Sequence, residues 1–192
     1  MNEENHFYFK NTVEWRKWLE ENHQSYTGIY LIFYKVDSKM ESMRWEEAVK
    51  EALCFGWIDS TVKKIDNERR KQYFSPRNHK SAWSNLNKTY VKELIANNLM
   101  HEAGLEKIRI AKHNGSWTAL DDVENLVIPK DLQKKFDENN IAYENYKKFT
   151  KSYKKNYLYW LNQAKREETR QKRISEIISL CEKNQKSRNT AR

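Results

Sequence analysis

The chain is poor in glycine, proline and cysteine, with four, two and two of them in 192 residues. So few glycines leave no room for a P-loop or a dinucleotide fingerprint, where glycines let the backbone approach phosphate closely. Two cysteines can build neither a disulfide framework nor a four-thiolate zinc site. The histidines, at 6, 23, 79, 101 and 113, show no HExxH spacing, so neither a metal site nor a cofactor is expected. No apolar run approaches the ~18 residues of a membrane span. The opening Met1-Asn2-Glu3-Glu4-Asn5-His6 is acidic and polar, unlike a signal peptide. What the chain does have is aromatic content. It is 38% hydrophobic and 13% aromatic, with seven tryptophans, which suffices to bury a core in one domain or in two small lobes around a shared core.

The net charge of +9 is unevenly placed. Residues 1–130 hold 20 Lys+Arg against 19 Asp+Glu, and residues 131–192 hold 16 against 8. A basic final third can attract nucleic acid, but a solvated lysine-rich helical surface is the simpler reading. Within it, Arg166, Arg170 and Arg173 share one helix face at i, i+4 and i+7, beside Glu167 and Glu168. They are the nucleic-acid candidates, although pairing within the helix competes with that role. Tyr143, Tyr146, Tyr153, Tyr157 and Tyr159 lie among lysines in a pattern that suits base stacking, yet their helical spacing places most of them in a core.

The pattern of elements is α+β, a small antiparallel-containing sheet with helices at the N-terminus followed by a mainly helical region. Asn11 with Glu14 forms a capping box for a helix that fades near His23. Residues 29–34 read as a buried strand. Trp45, Ala48, Val49, Ala52 and Leu53 define a helix that Gly56 ends. Residues 58–65 and 69–74 form a hairpin, and Ser75-Pro76-Arg77 breaks it. Ser81 caps a helix carrying Trp83, Leu86, Tyr90, Val91 and Leu94, and everything beyond reads as helical. This divides the chain into an α+β lobe, 1–80, and a helical lobe, 81–192, packed on it, with a frayed tail from about 185. A boundary at 115–130 is the other possibility, and no flexible linker separates the lobes.

Three clusters carry the candidate chemistry. Leu53-Cys54-Phe55-Gly56-Trp57-Ile58-Asp59-Ser60 packs a thiol, two aromatics and a carboxylate into a helix-to-strand turn. Cys54 is the tempting nucleophile, but a helix C-terminus disfavours thiolate, and a buried apolar role is the competing reading. Asp59 reads as a general base, a cap or a partner of Arg77. Ser75-Pro76-Arg77 sets a guanidinium on a turn, where it can bind an anion or pair with Asp59 or Asp66. Asn87 shares a predicted helix face with Trp83. Its amide is expected to brace the 74–77 or 56–60 turn, or else to reach into a pocket. Cys181 falls on an apolar stripe and reads as core.

Leu53 to Ser60, Phe74-Ser75-Pro76-Arg77, Ser81-Ala82-Trp83-Ser84-Asn85-Leu86-Asn87 and Ala103-Gly104-Leu105 together resemble the YdeI/OmpD-associated, or bacteriocin-protection, family. So do Tyr157-Leu158-Tyr159-Trp160-Leu161, the run Ala164 to Arg170, and Arg173-Ile174. The resemblance extends from about residue 7 to 183. Arg44 stands where a threonine cap is expected, and Asn98 where glycine is common; Asn tolerates the left-handed conformation. The resemblance implies a bacterial cytoplasmic protein linked to bacteriocin or envelope-stress resistance, and it brings no established reaction. The expected role is a stress-response binding protein with a pocket where Cys54, Trp57, Asp59, Ser75, Arg77, Trp83 and Asn87 meet. Its partner would be a small anionic or aromatic ligand or another protein. Two alternatives stay open: a small enzyme acting on an anionic substrate, and a nucleic-acid binder using the basic helices.

Overall fold

The computed structural model describes residues 5–188. The acidic opening at residues 1–4 and the last part of the expected frayed tail, 189–192, lie outside the described residues. The chain divides into two units, one ending at Thr118 and the other starting at Ala119.

In the first unit the sheet is mixed and four-stranded, in the order β1-β2-β4-β3. β1 (His6–Tyr8) runs parallel to β2 (Ile29–Tyr34). β4 (Arg69–Pro76) lies antiparallel between β2 and β3 (Trp57–Lys64). α1 (Thr12–Asn22) starts as expected, with Asn11 Oδ1 accepting from Glu14 N at 3.0 Å. α2 (Trp45–Cys54) ends at Gly56, whose φ of +73° is left-handed. Strand alternation puts Ile29, Leu31 and Phe33 on one buried face. Trp15 and Leu19 of α1 and Ala48, Val49, Ala52 and Leu53 of α2 belong to the same core. The opposite face carries His6, Tyr8, Tyr30, Tyr34, Lys71 and Tyr73, none of which belongs to that core. β1 is too short to show an alternation, so its sequence gives no strand signal.

α3 (Asn85–Ala96) and α4 (Glu102–His113) also belong to the first unit, with Tyr90, Val91, Leu94, Ile108 and Ala111 in its core. Both helices pack on α2, across the expected 80/81 boundary. Hydrophobic periodicity locates a helix but cannot say which core receives it. Ser84 caps α3, not Ser81, and accepts from Asn87 N at 3.3 Å. Trp83 therefore precedes the helix. Asn98 takes the left-handed conformation, φ +54°, just after α3.

The second unit is helical: α5 (Asp121–Glu124), α6 (Lys130–Glu138), α7 (Asn140–Lys148), α8 (Lys151–Asn162) and α9 (Glu167–Glu182). Leu132, Phe136, Tyr146, Tyr157, Leu161 and Ile177 anchor its core. The tail is placed as far as 188. Gln185 O accepts from Tyr157 Oη at 2.9 Å, and the Arg188 guanidinium lies 3.8 Å from the Trp160 ring centroid. The protein is thus α+β with a small sheet. No helix among the described residues is long and apolar enough to cross a membrane.

Candidate functional site

The three clusters do meet, and they meet as packing. Arg77 N donates to Gly56 O at 2.9 Å, joining the end of β4 to the turn after α2. Its guanidinium lies 3.8 Å from the Trp83 ring centroid, and Nη2 donates to Ala82 O at 2.7 Å. Trp83 in turn packs on Trp117, with centroids 5.0 Å apart. Trp57 Nε1 donates to His23 O at 3.0 Å. Asp59 Oδ2 accepts from Trp45 Nε1 at 2.8 Å and from Gln72 Nε2. Cys54, Trp57, Arg77 and Trp83 are all buried, Asp59 and Ser75 are half-buried, and Ser75 faces Ile58 across the hairpin. Burial lowers the Arg77 pKa to about 10, with the Asp59 charge acting against it. Arg77 Nε and Nη1 find no hydrogen-bond partner among the described residues.

Five of the better-formed clefts are lined by none of these seven residues. The expected amide brace is also absent. Asn87 is half-buried in the first turn of α3, and among the described residues neither turn bonds its side chain. Arg77 braces the junction instead. Assigning Ser81 as the cap turned Trp83 and Asn87 onto one helix face; starting the helix at Asn85 removes that relation.

Cys54 is fully buried, and burial with the nearby Glu51 charge pushes its thiol from 9.0 up to about 11, against the opposing effect of Arg16. Burial pushes Cys181 up to about 12. Neither sulfur is a thiolate near neutrality, so neither is poised for attack. We expect no thiol to react with iodoacetamide in the folded protein at pH 8, and both to react in guanidinium. Rapid labelling of Cys54 in the folded state would revive the thiol-enzyme reading. The sign of the pH dependence follows. A raised thiol pKa gives stability that is full below the unfolded value and is lost as pH rises through the folded one. Between pH 9 and 11 the wild type should therefore lose more stability than Cys54→Ala, by about 2–3 kcal/mol.

Two arginines of the second unit's stripe, Arg170 and Arg173, are engaged within that unit. Arg170 forks onto Asp131, with Nη2 to Oδ1 at 2.9 Å, which holds the carboxyl below its ordinary range. Arg173 donates to Trp160 O at 2.5 Å and lies over the Trp160 ring. Arg166 occupies the N-cap position of α9. Tyr146 and Tyr157 are buried, while Tyr159 is exposed.

A cleft that sequence reasoning missed opens elsewhere on the first unit. It has a volume of about 590 Å³ and lies beside the starts of α1 and α2 and the loop that follows β2. Lys10, Lys35, Lys39 and Arg44 line it, against Glu41 and Glu47. No ion pair among the described residues engages any of those four cations. The helix N-termini are already capped by carboxylates, since Glu14 Oε2 accepts from Lys10 N and Glu47 Oε2 from Arg44 N, at 3.0 and 2.7 Å. The attraction for an anion thus rests on the side-chain cations. Lys35 and Lys39 stand close in sequence, but Lys10 and Arg44 join them only through the fold.

Residues 7–107 match the model of a family described as a domain of unknown function (DUF8412), and residues 125–184 match that of the family described as Bacteriocin-protection, YdeI or OmpD-Associated. The resemblance noted in the sequence therefore holds for the second unit. The motifs between residues 53 and 105 fall within the other match. No curated protein and no solved structure matches the chain.

Proposed function

Since the chain belongs to the DUF8412 family through residues 7–107 and matches the bacteriocin-protection family at 125–184, we propose that it is a cytoplasmic protein of bacteriocin or envelope-stress resistance that acts by binding a small anionic ligand. The observation that carries this reading is the group of four cations around one cleft of about 590 Å³. Two carboxylates share that lining, which leaves a local excess of two positive charges. Clustered cations at the wall of a low-dielectric cleft raise the local concentration of anions. Arg44 offers a planar fork and the lysines offer mobile point charges, a combination suited to phosphate or carboxylate groups.

Thermal melting with inorganic pyrophosphate or citrate tests the reading. A ligand that binds only the folded state at about 100 times its Kd adds about 2.7 kcal/mol. The wild type should gain melting temperature in a saturable way, and Lys35→Gln/Arg44→Gln should not. Equal stabilisation of the two proteins, or none of the wild type by either anion, would overturn the assignment to this cleft.

A further inference from the structure

A second cleft of the first unit shares no residue with the basic one and differs from it in chemistry. It is a groove of about 360 Å³, lined by residues of α3, of α4 and of the segment after α4. Val91 and Ile108, 2% and 5% exposed, form its floor. Ile95, 47% exposed, and the half-buried ring of Trp117 form its walls. Val91 and Ile95 stand at i and i+4, so one face of α3 supplies both. Trp117 is held in place before any ligand arrives. Its backbone N–H donates to Ala111 O at 3.0 Å, and its ring packs on that of Trp83.

The charge of the lining adds a second observation. Lys92 and Lys112 line the groove and are exposed, and no described carboxylate lines it. Among the described residues no ion pair engages either ammonium. Lys112 Nζ lies 5.4 Å from the Trp117 ring centroid. Lys88 borders the groove too, but it already has a partner and is not counted. The stems of the two lysines extend the apolar lining while their heads stay in water at its rim.

We propose that this groove binds a small aromatic carboxylate, with its ring against Trp117, Val91 and Ile108 and its carboxylate on Lys92 and Lys112. The apolar lining favours an apolar body, because its burial releases water from both surfaces. A polyanion would give up hydration there that two lysines do not replace. Two cations without an opposing carboxylate select an acid over a base. The flat face of Trp117 suits a ring by offset stacking. A groove of about 360 Å³ is of small-molecule size, well short of a protein interface. A second copy docked here about a two-fold axis would set lysines against lysines. The proposal is independent of the basic cleft, since it uses none of that cleft's cations.

The test is isothermal titration calorimetry of the full chain with naphthoate, and with naphthylmethanol as its uncharged counterpart. The acid should bind with a negative heat-capacity change, the mark of apolar burial. At low salt it should bind roughly fivefold or more tighter than the alcohol, as two exposed lysines allow. Added salt should narrow that gap by weakening the acid alone. Lys92→Gln/Lys112→Gln should bring the acid down to the affinity of the alcohol and leave the alcohol within about twofold of its wild-type value. Ile95→Glu, at an exposed position, sets a like charge in the lining and should weaken the acid roughly tenfold or more. Lys35→Gln/Arg44→Gln, in the basic cleft, should bind the acid like wild type. Circular dichroism melts establish that each variant is folded, and Ile95→Asn replaces Ile95→Glu if the latter does not fold. The proposal fails if the alcohol binds as tightly as the acid at low salt, or if the folded double lysine variant keeps wild-type affinity. It fails equally if the basic-cleft variant loses the acid, or if neither calorimetry nor equilibrium dialysis detects binding. A wild-type dimer in sedimentation that Ile95→Glu dissolves would give the groove to a second copy and overturn the proposal.

Discussion

Trp83→Ala is expected to lose about 3–5 kcal/mol of stability, the cost of deleting a large aromatic side chain from a closed core. Trp83 is 2% exposed, with the Arg77 guanidinium on its ring and Trp117 beside it. Its removal also takes away the ring on which a buried cation rests. Arg77→Met is the informative counterpart. Arg77 is 4% exposed, its Nε and Nη1 have no hydrogen-bond partner among the described residues, and no ion pair among those residues engages it. A methionine of similar length fills the site without burying charge, so its stability should lie within about 1 kcal/mol of wild type or above it. Chemical denaturation followed by tryptophan fluorescence reads both variants. Six of the seven tryptophans lie before residue 119, so the signal reports mainly the first unit. If Arg77→Met cost as much as Trp83→Ala, the guanidinium would hold the junction by more than packing. If Trp83→Ala were neutral, the junction would not be closed.

These two residues show what was legible in the sequence. The run Leu53 to Ser60, the strand-ending Ser75-Pro76-Arg77 and Trp83 looked unusual together, and the fold brings them together. Their unusual composition reflects a tight junction of helix, hairpin and loop. Closely spaced motifs reveal proximity but not openness, because openness depends on whether neighbouring elements fill the space. Here Trp117 from after α4 fills it, at a distance in sequence that no local pattern encodes. α1, α2, β2 and the β3–β4 hairpin were readable because caps, turns and periodicity all agreed. β1 was missed because three residues carry no period. α7 was missed as a separate helix because the break at Asn139 lies inside a continuous polar stretch. Asn139 caps α7 by accepting from Ala142 N at 3.0 Å, which a local reading could have found. The basic cleft and the apolar groove could not be found in this way. Each is assembled from separate elements, and only the fold places Arg44 in one cleft with Lys10 or Trp117 in one groove with Val91.

Gly104→Val is expected to lose about 3 kcal/mol or more, at the upper end of what overpacking a core costs. The glycine lies in the first turn of α4, where that helix meets the end of α2. A Cβ there would lie 2.3 Å from Cys54 O and 2.7 Å from Leu53 O. Both are backbone atoms, so no side chain can swing aside. His101 N donates to Cys54 O at 3.1 Å from the same turn, which fixes the approach of the two helices. Alanine would gain about 1 kcal/mol in helix propensity over glycine. It must still push α4 away from α2 and pull Ile108 and Ala111 from their places in the core, so Gly104→Ala should lose stability despite its better propensity. Valine adds two methyl groups to the same clash and a β-branch that helices disfavour. The order wild type, alanine, valine is therefore the reverse of what propensity predicts for the first step, and that reversal is the diagnostic. Urea unfolding with an unchanged slope and a midpoint that falls at each step is the expected result. An alanine variant more stable than wild type would mean that α4 has room to move, and that the helix contact does not depend on the missing side chain.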